Sequence, residues 1–96
     1  MMARFRPGRL VAAPGALELL QEAVVDPIDL LARHLSGDWG DLDTDDKAAN
    51  EQALLDGGRL FSSYTLPDEA KVWVITEAVG DDGQRSCTTI LLPADY

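Results

Sequence analysis

Ser36-Gly37-Asp38-Trp39-Gly40-Asp41-Leu42-Asp43-Thr44-Asp45-Asp46 is the stretch on which the chain turns. Apolar spacing upstream of it is helical. Downstream, after one further helix, the spacing becomes that of strands. The stretch holds one of two tryptophans and five carboxylates, Asp38 to Asp46.

Working toward the N-terminus, Asp26-Pro27 reads as a helix cap followed by a first-turn proline, with Asp29 in the capping-box position. Ile28, Leu31 and Leu35 repeat at i, i+3, i+7, so a helix spans about 27–35 and stops before Gly37. Leu17, Leu20 and Val24 repeat the pattern after Pro14, giving a helix over about 14–24. Arg9-Leu10-Val11-Ala12 is a short strand candidate. Pro7-Gly8 breaks the chain before it, so residues 1–8 are expected to be a flexible N-terminus and 9–96 a single domain.

Toward the C-terminus, Asp43 or Thr44 caps a helix of about 44–56 that ends at Gly57-Gly58. Its expected buried side is Ala49, Ala53 and Leu54, with Leu55 nearby. From Arg59 the period is two. Leu60–Leu66, Lys71–Val79 and Ser86–Leu92 read as strands joined by short turns, hence an antiparallel meander. Val72 and Val74 face one way, Trp73 and Ile75 the other. Apolar residues on both faces imply a central strand or a second face that meets a partner. The expected fold is α+β: a three-strand meander, with the N-terminal strand a candidate fourth, and about three helices on one face.

Composition narrows function. The 96 residues carry 17 acidic and 8 basic side chains, a formal net charge of -9. That balance opposes direct binding to nucleic acid or anionic membrane. No apolar run reaches the roughly 18 residues of a membrane span, and no signal-peptide core follows Arg4, Arg6 and Arg9. A cytoplasmic protein is expected. One cysteine, Cys87, excludes an internal disulfide, and with one histidine it leaves little for zinc. Charge is uneven: residues 1–13 carry +3, whereas 38–58 carry -6.

His34 lacks a second imidazole and is expected to sit at the favourable C-terminal dipole of its helix rather than act in catalysis. Cys87, in an alternating strand, reads as a small buried hydrophobe. Asp41-Leu42-Asp43-Thr44-Asp45 begins like a calcium loop, but Asp46 and Gln52 stand where glycine and a bidentate glutamate are required. No phosphate-binding loop or nucleophile elbow is present. No enzyme, cofactor or metal site is expected. Trp39 is either an anchor under the helical corner or an interface residue. Asp38, Trp39, Asp41, Asp45, Asp46 and Glu51 form the expected partner-binding set. Asp43 is excluded as a cap.

Three segments carry a resemblance. They are Asp29–Leu42, containing His34-x-x-Gly37-Asp38-Trp39-Gly40-Asp41-Leu42; Arg59–Tyr64; and Val72–Glu77 with Thr88–Pro93. Together they resemble a family of small bacterial proteins of plasmids and integrative conjugative elements, sometimes labelled loosely as a restriction-system subunit. Asp68-Glu69-Ala70 and the Gly80–Gln84 loop depart from that pattern. The resemblance implies a setting, mobile elements, and no activity assignable to residues. The expected function is inhibition of a nucleic-acid-binding defence system, CRISPR or restriction machinery, by occupying a basic surface. The alternative is a regulatory or housekeeping module of the element, acting as a homodimer through the second sheet face.

Overall fold

Side-chain caps set the helix boundaries that the sequence marks. Asp26 accepts a hydrogen bond from the Ile28 amide at 2.9 Å, and Asp43 accepts one from the Asp46 amide at 2.8 Å. The computed structural model describes residues 3–96. Its elements are β1 (Arg9–Ala12), α1 (Pro14–Glu22), α2 (Pro27–Leu35), α3 (Thr44–Asp56), β2 (Leu60–Thr65), β3 (Lys71–Thr76) and β4 (Cys87–Leu91). A 3-10 turn, Pro93–Asp95, follows. The first helix stops short of Val24, which adopts a positive φ of 56°.

The strands form one sheet in the order β1-β4-β3-β2. β2, β3 and β4 make the expected antiparallel meander. β1 pairs with β4 in parallel, Arg9 opposite Cys87 and Ala12 opposite Ile90, so the sheet is mixed. The fold is α+β, as expected.

α1 and α2 cover the sheet face that carries Tyr64, Leu66, Val72, Val74 and Ile90, closing a core with Ala16, Leu20 and Leu30. Trp73 and Ile75 lie on the opposite face. α3 packs near strand β2, where Ala53 joins Trp39 and Leu60 in a second cluster. Its buried side is the expected one only in part: Ala53 is buried and Leu54 partly so. Ala49 and Leu55 face solvent, and Asn50 is buried instead. The cause is backbone chemistry: the Asn50 amide donates to the Phe61 carbonyl at 2.6 Å and accepts from the Phe61 N–H at 3.0 Å. A side chain thus occupies the place of a neighbouring strand.

Residues 3–8, expected as a flexible N-terminus, contact the rest of the domain; residues 1 and 2 lie outside the described chain. The Arg4 amide donates to the Leu35 carbonyl, Phe5 packs on Trp39, and the Pro7 carbonyl accepts from Thr88 at 2.8 Å. Pro7-Gly8 breaks regular structure without freeing the chain.

Candidate functional site

The 36–46 stretch runs alongside β2. Trp39 is 4% exposed, so it is the anchor of the two alternatives and presents no surface to a partner. Its ring stacks on Phe5 at 6.4 Å between centroids and meets His34 edge-on at 5.7 Å. Its indole N–H donates to Glu51 at 2.9 Å. Glu51 also holds Arg4 through both carboxylate oxygens, at 2.7 and 3.0 Å. Arg4 first, and then Trp39, hold the Glu51 carboxyl below its usual range.

Backbone then does what Asn50 does one pair earlier. Gly40 forms a parallel bridge with Ser63. The Ser63 amide donates to the Trp39 carbonyl at 3.2 Å, and the Asp41 amide donates to the Ser63 carbonyl at 2.7 Å. A side chain at Gly40, whose φ is +75°, would collide with that carbonyl oxygen. The Asp41 carboxylate accepts from the Thr65 hydroxyl, and this bond lowers its pKa. Asp38 accepts from Arg33 at 2.6 Å and from the Gly40 amide at 3.2 Å, with Arg33 the main cause of its lowered pKa. Arg33 also lies over the Tyr64 ring, 4.5 Å from its centroid. The Tyr64 hydroxyl donates to the Asp38 backbone carbonyl at 2.7 Å, and burial pushes its pKa up to about 12.

The partner-binding set therefore separates. Trp39 is core, and Asp38, Asp41 and Glu51 are engaged in holding the stretch to β2 and the N-terminal segment. Asp45 and Asp46 stand exposed in the first turn of α3 without an ion pair among the described residues. Arg4 and Arg33 bring cations to this stretch from distant and flanking sequence.

His34 lies in the last turn of α2, as expected, but it has no exposed surface and is held by strand hydroxyls. Nδ1 lies 2.6 Å from the Ser62 hydroxyl, and Nε2 lies 2.9 Å from that of Thr76. Thr76 and Thr88 hydroxyls are 2.6 Å apart. The direction of every bond follows from the far end. Pro7 offers only a carbonyl, so Thr88 donates to it. Thr76 must then donate to Thr88, and His34 Nε2–H to Thr76. Nδ1 is left as the acceptor from Ser62. The imidazole is neutral, and burial together with the charge of Arg85 lowers its pKa to about 4. Ser62 and His34 are a nucleophile–base pair in composition only, since Ser62 is sealed from solvent. Cys87 is half-buried and, one residue from Thr88 on β4, projects to the other face. No Cys87/His34 dyad forms. Among the described residues no group of three or more His, Cys, Asp or Glu side chains is placed to hold a metal ion.

Arg85 went unmarked in the sequence. Its guanidinium donates to the Ala53 and Gly58 carbonyls at the end of α3 and to the Glu77 carbonyl. The sheet face without helices, partly covered by the C-terminal turn, carries an aromatic row. Phe61 meets Trp73 edge-on at 5.0 Å, and Trp73 meets Tyr96 at 5.7 Å. Arg59 donates to the Tyr96 hydroxyl at 2.7 Å, and these residues with Ile75 line a shallow apolar recess. No helix is long and apolar enough to cross a membrane among the described residues. No protein-family model, no curated protein and no solved structure matches the chain.

Proposed function

We propose that the chain is a non-enzymatic interaction protein of a mobile genetic element that blocks a nucleic-acid-binding defence complex by occupying its basic surface. The observation that carries this reading is the carboxylate excess left on the surface. Of 17 acidic residues, only Asp38, Glu51 and Glu77 are ion-paired among the described residues. Asp45 and Asp46 project beside the capping Asp43 and the exposed Asp41. Duplex DNA places one charge about every 1.7 Å of axis, so a groove lined with Lys and Arg for DNA also attracts a dense carboxylate corner. The mobile-element setting implied by the sequence resemblance supplies the defence context.

The test is competition. Purified protein is titrated against CRISPR and restriction complexes loaded with labelled nucleic acid, over a salt series. Displacement that weakens steeply with salt, and weakens further in Asp45→Asn/Asp46→Asn, is the expected result. Displacement indifferent to salt and to both substitutions refutes the reading. The aromatic recess favours a second reading, a regulatory module that dimerises through that face. Trp73→Ala separates the two, because it removes that dimer and leaves acidic displacement intact.

A further inference from the structure

The two edges of the sheet are treated differently. Along β2, the outward amides and carbonyls of Phe61 and Ser63 are all occupied, by Asn50 and by the Trp39–Asp41 backbone. Along β1, nothing comparable is present among the described residues. The Arg9 and Ala13 amides donate to Ser86 and Ile90 of the β4 side. The period of two then turns the backbone groups of Leu10 and Ala12 outward. Bare edges of this kind recruit further strands, and natural sheets guard them with charge, proline or a covering element. Here one charge, Arg9, stands at the start of the edge, and its centre is apolar: Leu10 is 53% exposed and Val11 41%. Beside them runs an apolar groove between β1 and α2, lined by Leu10, Ala12, Ile28, Leu31 and Ile90. Ile28 at its lip is 61% exposed. The apolar surface continues past Pro27 into a second recess at Val24, which is 90% exposed.

We infer that β1 is a self-association edge, on which a second copy of this chain adds its own β1 antiparallel about a two-fold axis at Val11. The register follows from the outward groups. Antiparallel partners must both point outward to exchange hydrogen bonds, so Leu10 pairs with Ala12 of the other copy and Ala12 with its Leu10. Val11 then meets Val11 as the non-hydrogen-bonded central pair, and Pro14, lacking an N–H, ends the ladder. The two sheets become one continuous sheet. Leu10 and Ile28 of each copy gain an apolar neighbour on the helix-covered side.

Charge complementarity supports a second copy as the occupant. Arg9 has no ion pair within the chain among the described residues. The Asp95 carboxylate lies at the opposite end of β1, about 3.9 Å from where a side chain at Gly15 would begin. Within one copy Arg9 and Asp95 are at opposite ends of the strand. Antiparallel pairing sets Arg9 opposite Ala13 of its partner and so beside the partner's Asp95. The inference concerns an edge that the acidic-corner reading does not use, and the two stand or fall separately.

The experiment is analytical ultracentrifugation of the full chain with two kinds of variant. Wild type is expected to sediment at twice the 10.4 kDa chain mass as concentration rises. Leu10→Pro removes an outward N–H that the strand pairing leaves without a partner among the described residues, so it should be monomeric, with an unchanged melt at dilution where the wild type is monomeric too. Val11→Cys in a Cys87→Ser background should cross-link on mild oxidation, since central non-hydrogen-bonded partners lie about 4.5 Å apart at Cα, within disulfide reach. Leu10→Cys in the same background, out of register with itself, should not. A wild-type monomer at every concentration overturns the proposal. So does a dimer that survives Leu10→Pro, or one in which Val11→Cys cross-links no better than Leu10→Cys.

Discussion

One edge of the sheet is closed by the densest sequence in the chain, and the other is left bare by a four-residue strand. The β2 edge takes a buried tryptophan, a glycine pressed against a carbonyl and a side-chain amide that imitates a strand. The β1 edge ends in Leu10 and Val11 with solvent beyond. Composition alone points the other way, because the Asp38–Asp46 stretch looks like a binding surface and Arg9–Ala12 looks like an afterthought. Conspicuous residues can mark where a fold must be fastened rather than where it meets a partner.

The largest expected effect tests whether that fastening is structural. Trp39→Ala removes a buried ring from the α3–β2 cluster and should cost roughly 3–5 kcal/mol in denaturant unfolding. Trp73→Ala, on the half-covered aromatic face, should cost less. Equal losses would erase the distinction between a buried clasp and an open face.

Gly40→Ala follows. Its positive φ alone is worth roughly 1–3 kcal/mol to an alanine, and the collision with the Ser63 carbonyl adds to that. Thermal unfolding of this variant should show a clear drop. An unchanged melting temperature would mean that the Trp39–Asp41 backbone does not hold β2.

His34 gives the same region a pH signature. Its folded pKa of about 4 lies below the unfolded value near 6.5. The unfolded chain therefore binds a proton that the native core refuses as pH falls. The stability linked to His34 is fully present above about 6.5 and is lost between there and about 4, to the extent of about 3 kcal/mol. Urea unfolding across that window should show the loss, and His34→Gln should flatten it. His34→Ala should also destabilise, because Ser62 and Thr76 lose their partner. A wild-type profile that stays flat through this window would place the imidazole in water.

The smallest effect lies at the acidic corner. Asp45→Asn and Asp46→Asn remove charge from exposed positions and should leave stability within about 0.5 kcal/mol. Their consequence is expected in association with basic partners. A large stability loss would make these carboxylates part of the clasp as well.

Much of this was legible in the sequence, where local chemistry decides local structure. Asp26-Pro27 and Asp43 announced α2 and α3, and the alternation after Arg59 announced the meander. The surroundings of the conspicuous residues were not legible, because long-range partners decide them. Nothing near Glu51 in sequence reveals that Arg4 and Trp39 converge on it. His34 sits at a helix end, as expected, but its burial was not legible because its partners, Ser62 and Thr76, lie on two strands far downstream. Asn50 carried no local signal, because its partner is the backbone of Phe61 on β2. The parallel pairing of β1 with β4 joins the two ends of the sequence, so no turn signal could foretell it.

Amide hydrogen exchange on the full chain, followed residue by residue at low and high protein concentration, tests the contrast between the edges most directly. The Phe61 and Ser63 amides should exchange slowly at every concentration, because Asn50 and Trp39 of the same chain hold them. Leu10 and Ala12 should exchange rapidly when dilute and become protected as concentration rises. Fast exchange at Phe61 and Ser63, or four amides that behave alike at both concentrations, would contradict the account.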